Sequence, residues 1–233
     1  VTLNRPEVLN AYNVAMRDEM YEALEAIRDD TEVQGVILCG TGERAFCAGA
    51  DLTEFGTAPS QAIARQVRWE RDVWGLFLSL QIPQVAAVHG YVLGSGQEMA
   101  LLCDMRIAAE DAIFGLPETS LGMLPAAGGT QTLPRLVGTG PALGILLTGR
   151  SINAREPYDL GLVTRVVPRH QLMEEAQQVL DGILASDAEG VRRIKKAVQY
   201  GMDMTLPQGL ELEARLAVEL FRSRRNPLPA WRG

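Results

Sequence analysis

The sequence predicts an α/β fold followed by a helical C-terminal region. Up to about residue 152, short apolar runs alternate with amphipathic segments of helical spacing, which is typical of parallel β-α-β units. After Ile152 the chain is mostly helical. With 47% hydrophobic residues, the 233-residue chain can bury a sizeable core. We therefore place the α/β core in residues 1–152 and the helical region in residues 153–233.

The elements follow from hydrophobic periodicity. Residues 13–29 predict a helix, because apolar side chains recur every three or four residues, and residues 60–80 show mostly the same spacing. The predicted strands are the first residues of the chain and the apolar runs 33–39, 85–88, 105–108 and 112–114. The helices predicted for the C-terminal region are the amphipathic segments 171–184, 188–200 and 207–221.

Two glutamates stand in settings that favour acid/base chemistry. Glu98 follows a glycine-rich turn at 94–96 and enters the core in the first turn of an otherwise apolar helix, and Glu118 lies just before the glycine-rich run 122–130. Burial beside backbone amides shifts a carboxyl pKa in either direction, which is how a general acid or base is made. A structural interpretation stays open for each, because carboxylates favour helix N-termini and Pro-Glu is common in surface turns.

A second small-residue turn, at Gly49 and Ala50, shortly follows the predicted strand 33–39. Together with the turn at 94–96 it can present two backbone N–H groups to one oxygen. This is the geometry of an oxyanion hole, whose removal typically costs about 3–4 kcal/mol of barrier.

Composition argues against several other classes of function. The net charge of −7 provides no overall basic field for nucleic acid or an anionic membrane. No apolar run approaches the roughly 20 residues of a membrane span, and nothing at the start resembles a signal peptide. Cys39, Cys47 and Cys103 lack metal-ligand spacing, and the chain has only two histidines, so we expect no metal site and buried free thiols in a reducing, cytoplasmic location.

Five segments, in order along the chain, resemble the enoyl-CoA hydratase/isomerase (crotonase) family. They are 4–11, 45–52, 90–104, 114–130 and 161–168, and the resemblance runs from Val1 to about Phe221. It implies a crotonase-like spiral of β-β-α turns with a helical tail, assembled as a homotrimer or as a hexamer of paired trimers. The predicted helix 207–221 carries apolar residues on both faces, which favours assembly. A monomer with this helix folded onto its own core is the alternative.

The resemblance also implies roles for individual residues. The backbone N–H groups of Ala50 and Ser95 would bind the thioester oxygen, Glu98 would activate a water, and Glu118 would deliver the proton to the α-carbon. Which carboxylate is acid and which is base stays open, because coupled carboxylates share their titration. Relatives often have glycine where Ser95 stands, so a positive φ at this serine would add strain of about 1 kcal/mol or more.

Substrate contacts are implied by the same resemblance. The substrate-binding positions are Ala48, Ala50, Asp51, Leu52, Thr53 and Gly94, with residues 50–53 at the adenine end of coenzyme A. Many relatives have lysine where Thr53 or Glu7 stands, so Arg5 and Arg44 become candidates for the phosphate contacts, although a plain surface role is the simpler interpretation of each. The acyl pocket wall is expected from residues 55–74 and the helical tail.

The implied activity is reversible hydration of a 2-enoyl-CoA thioester in fatty-acid β-oxidation, with no cofactor beyond the coenzyme A of the substrate. An isomerase or a specialised acyl-CoA dehydratase is the alternative within the family. A non-catalytic acyl-CoA binder is an alternative of another class, and so is an RNA-binding relative. The RNA-binding alternative depends on the basic cluster Arg192, Arg193, Lys195 and Lys196, which a solvated helix face explains more simply.

Near its end the chain departs from the family. Relatives follow the helix ending near Phe221 with an acidic stretch and a short helix, whereas here Ser223 leads directly into a basic, proline-containing segment that starts at Arg224. We expect that the protein contains these intervening residues and that the sequence shown omits them between Ser223 and Arg224. This predicts a break in the 3.8 Å spacing of consecutive Cα atoms around residues 221–225.

Overall fold

The computed structural model describes residues 1–223, apart from the side chains of Gln61, Ala64, Arg65 and Arg68. The strands in this range are β1 (Thr2–Leu3), β2 (Val36–Gly40), β3 (Ala45–Cys47), β4 (Gln84–Val88), β5 (Tyr91–Leu93), β6 (Met105–Ala109), β7 (Ile113–Gly115), β8 (Ile152–Asn153) and β9 (Arg165–Val167). The α-helices are α1 (Val14–Asp29), α2 (Gln61–Glu70), α3 (Val73–Ser79), α4 (Ser95–Leu102), α5 (Gly129–Val137), α6 (Thr139–Thr148), α7 (Arg155–Asp159), α8 (Leu172–Leu184), α9 (Ala188–Gly201) and α10 (Leu206–Ser223).

The strands form two sheets that the chain visits alternately. The first sheet has the order β1-β2-β4-β6-β9 and is parallel throughout, and the second has the order β3-β5-β7-β8, in which only β8 is antiparallel. Each of the pairs β2–β3, β4–β5 and β6–β7 adds one strand to each sheet, and helices follow each pair. This repeat is a spiral of β-β-α turns, so the predicted fold class is confirmed.

Some elements differ from the sequence-based prediction. The predicted helix at 60–80 is two helices, and Asp72 ends the interruption by accepting a hydrogen bond from the Gly75 amide at 3.0 Å, which caps α3. Helices α5 and α6 were not predicted, because glycine and proline are frequent in 128–141 and Pro134 lies within α5.

The first sheet continues beyond residue 152. Strand β9 pairs with β6 through Ile107 and Arg165, and α8 covers one sheet face with the buried residues Leu172, Ala176 and Leu180. The helical region thus contributes a strand and a packing helix to the core. The division of the chain at residue 152 stays a prediction.

All three cysteines are free. Cys47 and Cys103 are buried, and burial raises the pKa of Cys47 to about 11 and the pKa of Cys103 to about 12. Cys39, in β2, is only half-buried, and its Sγ atom lies 3.5 Å from the hydroxyl of Thr2. The prediction of buried thiols is therefore wrong for Cys39 alone.

Two of the four basic residues in the cluster on α9, Arg193 and Lys195, form ion pairs within the fold. The Lys195 ammonium donates to the carbonyl of Ile82 at 2.7 Å and pairs with Asp104 Oδ2 at 2.8 Å, and its side chain is 6% exposed. Burial lowers the pKa of Lys195, and the charge of Asp104 opposes this. Arg193 pairs with Glu189 and Glu219. The interpretation as a solvated helix face is wrong for Lys195, which anchors α9 to the sheet.

Replacing Lys195 with methionine is expected to lower the free energy of unfolding by about 3 kcal/mol, because Asp104 would lose the partner of its partly buried charge. The matched control is Lys196→Met one residue later, where the side chain is exposed and a change within about 0.5 kcal/mol is expected. Urea denaturation of the two variants measures the difference. Equal stabilities would show that the buried ion pair contributes nothing.

Two further predictions concern membrane-spanning helices and the C-terminal residues of the chain. Within residues 1–223 every helix is too short or too polar to cross a lipid bilayer, and a cytoplasmic location stays a prediction. The expected break after Ser223 concerns residues 224–233, which lie outside the described residues.

Candidate active site

Three adjacent strands of the second sheet direct their carboxyl ends to one edge. Strands β3, β5 and β7 are parallel neighbours, and each is followed within a few residues by a segment with candidate functional groups. These segments are the turn at 49–50, the turn at 94–96 and the stretch that contains Glu118. Parallel strands thereby bring together Gly49 and Glu118, which are 69 positions apart in the sequence.

A cavity of about 500 Å³ opens at this edge. The catalytic and oxyanion residues predicted from the sequence, Ala50, Ser95, Glu98 and Glu118, all line it. Three of the predicted substrate-binding residues, Ala48, Leu52 and Gly94, also line it, whereas Asp51 and Thr53 do not. The other lining residues are Tyr12, Arg17, Gly49, Phe55, Arg71, Val73, Trp74, Pro117, Leu121, Met123, Leu124, Ala126 and Ala127.

The residue with positive φ in the second turn is Gly94 rather than Ser95. Gly94 has φ 51° and ψ −125°, and it precedes Ser95, which is the first residue of α4. Ser95 is not among the non-glycine residues with positive φ, so the strain that a positive φ would add at this serine does not arise. An amide in the first turn of a helix has no carbonyl partner within that helix, and the Ser95 N–H is one such group.

The two turns lie against each other. A methyl group placed on Gly94 would be 3.5 Å from the Cα atom of Gly49 and 2.8 Å from Oε1 of Glu118. These short distances put the Ala50 and Ser95 segments side by side, with the Glu118 carboxylate next to them. Any side chain at residue 94 would obstruct this arrangement.

Asp51 holds the first turn in place. Its carboxylate accepts hydrogen bonds from the hydroxyl and amide of Thr53 and pairs with Arg5 at 3.2 Å. The Thr53 hydroxyl is the main reason that the pKa of Asp51 lies below its ordinary value. Arg5 also donates to the carbonyl of Ala11 at 2.6 Å, so the guanidinium that was a candidate for phosphate binding supports the loop. Arg44 is exposed.

Glu98 is buried, with 2% of its surface exposed. Its Oε1 atom accepts hydrogen bonds from the amides of Ala127 and Gly129, both at 2.9 Å. Gly129 is the first residue of α5. The carboxylate is therefore bound by backbone amides at the start of α5. Its interactions are not limited to the dipole of α4, the helix to which Glu98 belongs.

Glu118 lies in a short 3-10 helix, Pro117–Leu121, and is half-buried. Its Oε2 atom is buried and has no hydrogen-bond partner among the described residues. Burial raises the pKa of Glu118, and the charge of Glu98 adds to the effect. The surface-turn interpretation of Glu118 is therefore wrong, and the site contains a carboxyl group that retains its proton to higher pH than usual.

Several lining residues were not identified from the sequence. Tyr12 and Trp74 contact each other with ring centroids 5.7 Å apart, and Arg17 and Arg71 contribute positive charge. Phe55, Val73 and Trp74 confirm the expected wall from residues 55–74. Among the described residues of this single chain, none from 153–223 lines the cavity, so the helical tail is not part of its wall here. Sequence periodicity gave no signal for Arg17, which occupies an ordinary polar position of α1.

Comparison with known proteins identifies one family. The family model for enoyl-CoA hydratase/isomerase matches residues 1–227. The chain is similar to the short-chain-enoyl-CoA hydratase of Clostridium acetobutylicum, with 38% identity over 95% of this chain and 85% of that protein. It is also similar to the crotonyl-CoA hydratase of Syntrophomonas wolfei, with 38% identity over 91% of this chain and 82% of that protein.

Solved structures give the same result. The crystal structure of enoyl-CoA hydratase from Bacillus anthracis superposes with a TM-score of 0.90 at 39% identity, and the match covers 96% of this chain and 86% of that one.

Proposed function

The chain belongs to the enoyl-CoA hydratase/isomerase family, and from that premise we propose that it is a lyase that reversibly hydrates a 2-enoyl-CoA thioester to the 3-hydroxyacyl-CoA. The observation that carries the proposal is the shared cavity of Glu98 and Glu118 beside the turns at 49–50 and 94–96. Both named relatives are hydratases. A role in fatty-acid β-oxidation and a cytoplasmic location belong to the same proposal.

The backbone amides of Ala50 and Ser95 bind the thioester oxygen in this mechanism. As the water oxygen bonds to the β-carbon, negative charge moves onto the thioester oxygen. Two preorganised N–H donors stabilise that charged oxygen more strongly than they stabilise the neutral carbonyl. The Ser95 amide also stands at the positive end of the α4 dipole.

The two carboxylates divide the proton transfers. The amides of Ala127 and Gly129 orient Glu98, which accepts a proton as the water oxygen bonds to the β-carbon. Glu118, whose pKa is raised by burial, donates a proton to the α-carbon. The step leaves Glu98 protonated and Glu118 ionised. Release of a proton from Glu98 to solvent and uptake of one by Glu118 restore the resting state, so the net change is the addition of one water. A carboxyl group with a raised pKa holds its proton to higher pH than an ordinary glutamate, which suits the acid role.

This reaction needs no cofactor beyond the coenzyme A carried by the substrate. Ala48 and Gly94 flank the two oxyanion turns in the cavity, and the loop of residues 50–53 meets the adenine end of coenzyme A. An isomerase moves one proton between two carbons and needs one carboxylate, so the presence of both favours hydration. The engaged charges on α9 give no support to RNA binding.

Addition of crotonyl-CoA to the purified protein should cause loss of the ultraviolet absorbance of the conjugated thioester, with a product heavier by one water in mass spectrometry. Conversion of a 3-enoyl-CoA to the 2-enoyl isomer without any hydration would instead identify an isomerase. No reaction with either compound would contradict the proposal.

We also propose assembly as a homotrimer, or as a hexamer of two trimers. Large apolar side chains are exposed on three helices of the single chain, namely Leu143 and Leu147 on α6, Ile194 and Val198 on α9, and Leu206, Leu210, Val218 and Phe221 on α10. Apolar surface of this kind favours burial against another subunit. Light scattering should give a mass of three or six times 25.4 kDa, and a monomer would contradict the proposal.

A further inference from the structure

Two arginines line the same cavity as the proposed catalytic glutamates. Arg17 comes from the first turns of α1, and Arg71 ends α2 just before α3. Among the described residues, the only other charged side chains that line this cavity are Glu98 and Glu118. Much of the remaining wall is apolar, from Leu52, Phe55, Val73, Trp74, Leu121, Met123 and Leu124. A purely aliphatic acyl chain offers guanidinium groups in such a wall neither a hydrogen-bond acceptor nor a negative charge.

Arg71 is oriented by its neighbours and keeps hydrogen-bonding capacity. Its Nη1 atom lies 3.5 Å from Asp18 and 3.6 Å from Glu22, and it is buried with no hydrogen-bond partner among the described residues. The guanidinium also lies over the ring of Tyr21, 5.8 Å from its centroid. A guanidinium has five N–H donors in a planar fork, and these long contacts are both at Nη1.

The two arginines lie close to carboxylates of α1. Asp18 contacts both arginines, at 2.8 Å from Arg17 Nη2 and 3.5 Å from Arg71 Nη1. Glu22 is 71% exposed, so solvent screens its charge and it offsets little of the arginine field. Arg17 and Arg71 therefore share Asp18, and both contacts of Arg71 to carboxylates are 3.5 Å or longer.

We propose that Arg71, assisted by Arg17, binds a carboxylate at the far end of the acyl group, so that the preferred substrate is the monothioester of an unsaturated dicarboxylic acid. An Arg–carboxylate pair can be bidentate, which supplies orientation as well as affinity. A site built to pair with a polar group discriminates against the analogue that lacks it. This inference rests on the proposed hydratase function and names its substrate class.

The experiment uses two thioesters that differ only by the terminal carboxylate, glutaconyl-CoA and crotonyl-CoA. The wild type should have the higher kcat/KM with glutaconyl-CoA. In Arg71→Met the ratio of the two kcat/KM values should fall by about 10- to 100-fold, as expected for loss of hydrogen bonds to a charged group. Arg71→Lys should lie in between, because an ammonium cannot form the fork.

Arg155→Met is the matched control, since Arg155 is exposed and lies outside the cavity, and it should leave the ratio unchanged. An equal loss with both thioesters in Arg71→Met would assign the arginine to a phosphate of coenzyme A and overturn the proposal. An unchanged ratio would overturn it too. Thermal unfolding of each variant verifies that the fold is intact.

The saturated pair glutaryl-CoA and butyryl-CoA separates this inference from the hydratase function. Calorimetric binding of the pair needs no turnover, and the wild type should bind glutaryl-CoA more tightly, with the preference lost in Arg71→Met. Hydration of crotonyl-CoA without any preference for the dicarboxylic thioesters would leave the proposed function intact and refute the assignment of Arg71. Preferential binding of glutaryl-CoA without any hydration would do the reverse.

Discussion

Replacing Glu118 with glutamine is expected to lower the rate of hydration by about 100- to 10,000-fold, the usual contribution of a general acid or base. Glutamine keeps the shape of the side chain but cannot deliver a proton to the α-carbon. The measurement is kcat with crotonyl-CoA, together with the affinity for butyryl-CoA, which should change little. Glu98→Gln is expected to cause a comparable loss, since its amide oxygen can still accept from Ala127 and Gly129 but cannot take a proton from water.

The fold itself should tolerate the Glu118 substitution at neutral pH. The pKa of Glu118 is raised in the folded state. Its contribution to stability is therefore fully present below the unfolded pKa and is lost as the pH rises through the folded pKa. Glutamine resembles the protonated form at every pH, so the thermal midpoint should not fall. A Glu118→Gln enzyme with near wild-type turnover would show that the proposed mechanism is wrong.

The same raised pKa predicts the pH profile of the wild type. Hydration should decline as the pH rises above the folded pKa of Glu118, because the acid form is then lost. This decline in rate reports the titration of the coupled pair of carboxylates, so the pH of its midpoint need not equal the pKa of either residue alone.

Replacing Ser95 with proline is expected to lower kcat by about 100- to 1,000-fold, the cost of losing one oxyanion-hole donor. Ser95 is the first residue of α4, where proline is well accommodated because its missing N–H has no helical partner in any case. The substitution therefore removes the proposed donor while the helix start is preserved. Circular dichroism and thermal unfolding verify the fold of the variant.

The matched control is Ser95→Gly, which keeps the amide N–H and should retain most of the turnover. If the glycine and proline variants lost activity equally, the serine hydroxyl would be the functional group, and the backbone assignment would have to be abandoned.

Much of the molecule could be predicted from the sequence. Periodicity over a few residues predicted the strands β1, β2, β4, β6 and β7 and the helices α1, α8, α9 and α10, but it missed β3, β5, β8 and β9. Glycine at 49 and 94 marks the two turns because few other residues adopt their backbone angles. The candidates Glu98 and Glu118 were identified from their local surroundings. The spiral arrangement and the roles in catalysis came from resemblance to the family, because no local pattern encodes how successive turns stack.

Only the tertiary structure decided which of these residues meet. The environment of Glu118 depends on Gly94 and Glu98, which β5 and β7 bring close as neighbouring strands, and Lys195 reaches Asp104 across 91 positions. The arginines of the cavity wall looked like ordinary helix-surface residues. The physical reason is that burial, pKa and pairing depend on atoms distant in the sequence, whereas periodicity and turn chemistry report only on neighbours along the chain.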